Sequence, residues 1–278
     1  MRCVGDFAVD TAIEGRDGHY RARLSRDWEI WGPNGGYVAA IALRAAGAHA
    51  PLRRPASFTC HFLSVADFAE VDLAVTTLRA SKRAISLRVS MTQQQRPILE
   101  ALAWIVGDTG GLEHDDAQMP DVVPVDRLKS IEELVPESER QSGYPFWQNL
   151  ETRPTNWVRW DQRQPRPPLW REWYRFRPRA TFDDPFVDAA RSLLLIDTLL
   201  WPAACQPYPR DSPYIAPSVD VSAYFHRLAP ECEWLLCDAA APVAAHGLIG
   251  GTTRIWSPDG RLLASGGGQL LCRPRPSA

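Results

Sequence analysis

Two stretches of the chain alternate apolar and polar residues with a period of two. Val71, Leu73 and Val75 stand against Asp72, Ala74 and Thr76, and Leu87, Val89 and Met91 against Arg88, Ser90 and Thr92. Successive side chains of a strand point to opposite faces, so this pattern predicts strands over 71–78 and 85–92 in a sheet with one buried face. Residues 57–63 and 98–106 complete a set of four strands, and the looser alternation of 7–30 predicts one or two more ahead of them. Between them, Gly32-Pro33-Asn34-Gly35-Gly36 breaks the chain. Residues 37–48 then run through alanines with Val38, Ile41, Leu43 and one charge, Arg44. A helix that is apolar almost all round belongs in an interior, and its small side chains suit close contact with a curved sheet.

The order then repeats. Asp183-Asp184-Pro185 reads as an acidic cap with proline at the first helical position, opening a helix over 186–201 that ends before Pro202. Strands follow over 218–226, 233–238, 247–255 and 262–272, the last two joined by a turn at Ser257-Pro258-Asp259-Gly260. Setting Phe62 on Phe225 aligns Ser57-Phe58-Thr59-Cys60-His61-Phe62 with Asp220-Val221-Ser222-Ala223-Tyr224-Phe225, a divergent internal repeat. One helix followed by a four-strand meander, given twice, differs from the single alternation of strand and helix in doubly wound folds. The expected organisation is a helix-and-meander unit over 1–108, a proline-rich connector over 109–168 and a second unit over 169–278. The connector carries Trp147, Trp157 and Trp160, is too long for an inert loop, and is expected to pack across the surface. Segments 156–160 and 170–176 are expected to add strands.

Composition narrows the function. The 278 residues are enough for two cores, and 31 basic against 33 acidic residues leave no electrostatic footprint for nucleic acid. The six cysteines, Cys3, Cys60, Cys205, Cys232, Cys237 and Cys272, lack zinc spacing and read as reduced thiols of a cytoplasmic protein. The amino terminus carries Asp6 where an export signal needs an apolar core. The longest apolar run, 193–201, contains Asp197 and falls far short of the roughly 20 residues of a membrane helix.

Asp197 is the strongest chemical candidate. It sits in Leu193-Leu194-Leu195-Ile196-Asp197-Thr198-Leu199-Leu200-Trp201, on the helical face opposite Asp188, which with Arg191 is expected toward solvent. A carboxylate on an apolar face is costly unless hydrogen-bonded or functional, and desolvation makes it a stronger base. The bland alternative is a cap or an arginine partner. Asn34-Gly35-Gly36 is the second candidate, because free amides at a helix start can polarise a carbonyl oxygen, although a tight turn explains the glycines equally well. His61, His226 and His246 lie on predicted strands without triad partners, no Gly-x-Ser-x-Gly elbow is present, and no clustered motif points to a metal or a cofactor. Gly266-Gly267-Gly268 marks a bulge or a close approach within a strand.

The order of motifs resembles the thioesterase-like relatives of the bacterial acyl-CoA thioesterase II family. It is carried by Trp31-Gly32-Pro33-Asn34-Gly35-Gly36-Tyr37, His61-Phe62-Leu63, Leu78-Arg79 and Gln93 in the first half. In the second half it is carried by Asp184-Pro185-Phe186, Leu195-Ile196-Asp197, Ser218-Val219-Asp220, Tyr224-Phe225-His226-Arg227 and Asp259-Gly260-Arg261. The resemblance implies an α+β double hot dog fold, two tandem antiparallel sheets each wrapped around a central helix. It also implies hydrolysis of a fatty acyl-CoA to free acid and CoA without a metal; an acyl-carrier-protein thioester as substrate stays open, and no cofactor is expected. In that family an aspartate on the second helix, a hydroxyl on the next strand and a glutamine on the last strand hold the attacking water. Asp197 matches the first and Ser218 the second. Gly268 stands at the glutamine's place and Gln269 one residue later, so Gln269 serves if the glycines form a bulge.

Asn34, Gly35, Gly36 and Tyr37, the last in place of a family glutamine, are the expected substrate contacts. Lys82 and Arg83 are candidates for the CoA phosphates, or simply a solvated hairpin tip. The alternatives on this fold are a non-catalytic acyl-binding or interaction protein and a dehydratase or hydratase. No nucleic-acid or membrane partner is expected, and association into a homo-oligomer stays open.

Overall fold

The computed structural model describes residues 4–136, 143–208 and 212–275. Cys3 and the rest of 1–3, singled out above, lie outside the described residues. The first half holds a one-turn helix α1 (Phe7–Asp10), strands β1 (Glu14–Arg16) and β2 (His19–Arg23), helix α2 (Gly35–His49), and strands β3 (Arg54–Phe62), β4 (Glu70–Ala80), β5 (Ala84–Gln93) and β6 (Arg96–Val106). A short helix α3 (Ile131–Leu134) and strands β7 (Leu150–Pro154) and β8 (Leu169–Phe176) follow. The second half holds α4 (Pro185–Thr198), α5 (Leu200–Cys205), β9 (Tyr214–Ile215), β10 (Ser218–Phe225), β11 (Trp234–Ala245), β12 (Leu248–Trp256), β13 (Leu262–Leu271) and β14 (Arg273–Pro274).

All but β9 and β14 join one 12-stranded sheet of order β1-β2-β4-β5-β6-β3-β10-β13-β12-β11-β8-β7. The two meanders meet where β3 pairs antiparallel with β10, Thr59 opposite Ser222. Those two residues are also repeat equivalents in the alignment of Phe62 with Phe225, so a pseudo-two-fold axis passes between them. Their hydroxyls meet at 2.6 Å. This continuous sheet around two central helices is the double hot dog arrangement.

The helices run antiparallel and touch. A Cβ on Gly36 would lie 2.7 Å from the Leu194 Cα, and one on Gly47 2.4 Å from the Phe186 ring. Residues Gly36 to Leu43 are all buried, because α2 is enclosed by the sheet on one side and α4 on the other.

Several elements depart from expectation. The first residues of 7–30 form α1 on the cap Asp6, and Phe7 packs against Trp28 and Phe176 at 5.2 and 5.0 Å. The second helix breaks at Leu199, and Pro202 lies inside α5, where the first turn needs no amide from it. Residues 156–160 form no strand, whereas Leu150–Pro154 does. The connector does cover the surface: Met119, Val122 and Val125 pack on Trp173, Leu236 and Trp256, with the Trp173 indole donating to the Val123 carbonyl at 3.2 Å. Asp188 and Arg191 are buried, 5% and 1% exposed, and pair with each other. Arg191 also donates through its two terminal nitrogens to the carbonyls of Ala180, Cys232 and Ala229, and Asp188 accepts from the Ala229 amide, so this ion pair is bonded inside the protein at all but the Arg191 Nε.

The Gly47–Phe186 contact can be tested directly. Gly47→Ala is expected to lower stability by roughly 1–3 kcal/mol through overpacking, read as a lower denaturant midpoint at unchanged slope. In a Phe186→Leu background the same substitution should cost less, because the ring it meets is gone.

Candidate functional site

The site forms where the amino end of α2 meets the carboxyl end of α4. Asn34 caps α2, its Oδ1 accepting from the Tyr37 amide at 2.9 Å. Its Nδ2 donates across the helix pair to Thr198 Oγ1 at 3.1 Å, and Thr198 in turn donates to the Leu194 carbonyl at 2.8 Å. This clasp fixes the register of the two helices. It sets Asp197 against the first turn of α2, where a Cβ on Gly35 would lie 2.9 Å from Asp197 Oδ2 and one on Gly36 3.2 Å from the Asp197 Cβ. Any larger residue at either glycine would push into the carboxylate or into α4.

Asp197 is 4% exposed. Burial drives its pKa up to about 6, while the Ser218 hydroxyl and the Gly36 amide, both facing the carboxylate, favour the charged form, and the Asp220 charge opposes it. Oδ1 is shut off from solvent and no protein group closes a hydrogen bond of standard geometry onto it. A buried carboxylate oxygen left open carries a desolvation cost that calls for a physical reason. The helix tolerates it because Leu193, Leu194, Leu195 and Ile196 are each fully buried. At about 1.5–3 kcal/mol per side chain their burial outweighs the roughly 3 kcal/mol that the Asp197 shift represents.

Asp197 opens onto a cavity of about 560 Å³ bounded by Asn34, Gly35 and Ser218 on one side and by Trp31, Tyr144 and Trp201 on another. Trp31 meets Trp201 edge to face at 5.9 Å and donates to the Tyr144 hydroxyl at 2.9 Å. Trp201 stands four residues beyond Asp197 in sequence, across the break at Leu199 and in the first turn of α5. A second cavity of about 350 Å³ adjoins across Trp147 and Pro202. There Glu172, also raised by burial to about 7, accepts from the Tyr174 hydroxyl at 2.9 Å, which accepts from Trp170 Nε1 at 2.8 Å. Glu172 lies on β8, whereas Asp197 is set directly against the first turn of α2 at Gly35 and Gly36. Among the described residues, no three His, Cys, Asp or Glu side chains are grouped to hold a metal ion, and no helix is long and apolar enough to cross a membrane.

The structure thus brings Asn34, Gly35, Gly36, Asp197 and Ser218 together. It does not bring the others. Gln269 is exposed, and its neighbour Leu270 faces the cavity instead. The three glycines form no bulge: β13 keeps register with β12 from Gly266 to Gln269, and the irregularity falls on β10 between Ser218 and Asp220. At Gly268 a Cβ would lie 2.3 Å from the Asp220 carbonyl, so no side chain fits there. Tyr37 is fully buried away from the cavity, stacked on Trp28 at 5.5 Å, its hydroxyl donating to the Asp10 carbonyl at 2.7 Å. Lys82 and Arg83 are exposed at the β4–β5 turn, beside the end of β6 where Val106 pairs with Arg54. The cavity touches Phe62 at the other end of β3, ~27 Å along the strand. His61 is exposed, His226 bonds to Ser265 Oγ at 2.8 Å, and His246 sits in a turn with φ 54°, so none reaches the site.

Replacing the charge has a predictable thermodynamic sign. A pKa raised above its unfolded value of 3.8 means the folded state holds its proton longer, so the penalty is absent below about pH 4, grows up to about pH 6 and is constant above. Asp197→Asn is therefore expected to stabilise the protein by up to about 3 kcal/mol above pH 6 and not at all near pH 4, as read by thermal melts across that range.

Comparison with known proteins bears on family and fold. The acyl-CoA thioesterase N-terminal domain family matches residues 24–106 and the acyl-CoA thioesterase C-terminal domain family residues 126–269. No curated protein matches the chain. Solved structures with the same fold include a protein of unknown function with hot dog fold from Alicyclobacillus acidocaldarius, 23% identical, covering 98% of each chain with a TM-score of 0.78. Another is the acyl-CoA thioesterase II TesB2 of Mycobacterium marinum, 20% identical over 97% of this chain and 99% of that one, TM-score 0.78. A third is the tesB protein of Mycobacterium avium subs paratuberculosis, 21% identical over 98% and 99%, TM-score 0.77. At these identities the structural likeness speaks to fold; the family matches, which together take in most of the sequence, place this chain in the acyl-CoA thioesterase family.

Proposed function

We propose that the protein hydrolyses an acyl-CoA thioester, with Asp197 as the base that activates water. The observation that carries this reading is the buried, raised Asp197 carboxylate set between the Ser218 hydroxyl and the Gly36 amide on the wall of a cavity large enough for an acyl thioester. Water gives a proton to Asp197 as its oxygen attacks the thioester carbon. The carbonyl becomes an oxyanion stabilised by the positive amino end of α2, whose Gly35 amide is a first-turn donor without an intrahelical acceptor. Collapse of this intermediate breaks the C–S bond, and the proton held by Asp197 passes to the departing thiolate, leaving a free carboxylic acid and CoA. Ser218 orients the water, and its hydrogen bond keeps Asp197 ionised at neutral pH. The apolar and aromatic lining accommodates the acyl group.

One observation favours a second reading, an acyl-binding protein that has lost turnover: the place of the family glutamine is a glycine with no room for a side chain. The same experiment decides between them. Loss of thioester absorbance is followed for acyl-CoAs of graded length. Asp197→Asn is expected to lower kcat by roughly 10²–10⁴ with the fold intact by circular dichroism. Ser218→Ala should lower it roughly tenfold and Gln269→Ala leave it unchanged. With the ionised base required, kcat/KM should fall about tenfold per pH unit below pH 6 and level off above it. Absence of turnover by the wild type on every acyl-CoA, with binding retained, would establish the acyl-binding reading instead.

A further inference from the structure

We propose that Arg273 and Arg275 form a phosphate clamp at the mouth of the Asp197 cavity and hold the nucleotide phosphates of CoA. This assignment rests on the thioesterase reading. Among the described residues that line the cavity, Asp197 is the one anion, and Arg273 and Arg275 are the two cations. Both arginines are exposed, and no ion pair ties either to a carboxylate among the described residues. Two guanidinium groups left open at the rim of a site are poised for a polyanion, and each can bind phosphate through two parallel N–H donors.

Their placement is built into the backbone. Arg273 pairs with Ile215 and Pro274 with Tyr214 in the two-stranded sheet of β14 and β9, and the Arg275 amide donates to the Pro213 carbonyl at 2.8 Å. Just before this ribbon the Leu271 amide donates to the Pro217 carbonyl at 3.0 Å, so the segment is fastened on both sides. Residues two apart on an extended ribbon share a face, which sends both arginines to the same side. Ile215 lies three residues before Ser218, an extended span of about 10 Å. The clamp is thus one pantetheine arm's reach from the thioester position at Asp197 and Ser218. Lys82 and Arg83, at the far end of the sheet, do not meet this condition.

The test separates the clamp from the thioesterase reading. Steady-state kinetics are measured for one acyl group carried on CoA, on phosphopantetheine and on pantetheine, with wild type, Arg273→Gln/Arg275→Gln and Lys82→Gln/Arg83→Gln. For the arginine pair variant, KM for acyl-CoA is expected to rise tenfold or more at low salt while kcat stays within about twofold. Its constants for acyl-pantetheine should match those of the wild type. The wild-type preference for acyl-CoA over acyl-pantetheine should shrink as ionic strength rises. Equal losses on all three carriers, no loss on any, or a loss confined to the Lys82/Arg83 variant would overturn the clamp. Wild-type acyl-phosphopantetheine used as well as acyl-CoA would overturn the assignment to the nucleotide and point to the prosthetic group of a carrier protein.

Calorimetric titration with CoA provides the readout that needs no turnover. If no thioester is hydrolysed yet the double substitution weakens CoA binding tenfold or more, the clamp stands and the hydrolase reading falls. If thioesters are hydrolysed yet CoA binds both proteins equally, the reverse holds.

Discussion

The structure depends on how closely α2 and α4 approach. Gly36 lets the Leu194 backbone come within van der Waals distance, and no other residue type would leave that space. The Asn34–Thr198 hydrogen bond then locks the register of the pair, since sliding either helix by one residue would break it. Given that register, the carboxylate of Asp197 has one place to go, the amino end of α2. Its position follows from main-chain packing between two helices and owes nothing to a loop, the kind of rigid support that the proposed base requires.

The same packing explains how two kinds of buried charge coexist on one helix. Asp188 and Arg191 neutralise each other and are further bonded to backbone groups of the 180–182 and 229–232 segments, so they fasten α4 to its surroundings. Asp197, in the last turn at the other end, has no cation beside it and keeps an acceptor open. In the first arrangement opposite charges lie against each other and against backbone groups, with only the Arg191 Nε left over. The second stores an electrostatic cost that aliphatic burial elsewhere on the helix supports.

Much of the fold was legible because its signals are local. Period-two alternation marks two strands of the first meander, alanine content marks α2 as an interior helix, and the Phe62–Phe225 alignment carries the same order of elements into the second half. Asp197 stood out because an acid within an unbroken apolar run has few structural excuses. The failures are those of non-local geometry. The burial of Asp188 and Arg191 is not visible locally because the segments that cover them, around Ala180 and Ala229–Cys232, are distant in sequence. Tyr37 lies one step from a site glycine, yet a helix turns each residue by 100°, which carries its ring into the packing around Trp28. Gln269 was assigned by counting along one strand, whereas the irregularity that matters sits on the neighbouring strand at Ser218. Nothing local to Arg273 or Arg275 announces a cavity, because their position depends on how β14 returns to β9.

Duplication gives the scaffold two equivalent places for a site, and only one is open. Gly47 stands as far beyond the cap Asn34 as Asp197 stands beyond the cap Asp184, thirteen residues in each case, and it takes the place an acid would need at the dyad-related position. There the Phe186 ring lies against the glycine and fills the space. The second half-site has become part of the core. Among the described residues, therefore, the dyad-related position holds packed aromatic core where the Asp197 side holds a cleft, and the duplicated scaffold is asymmetric in use.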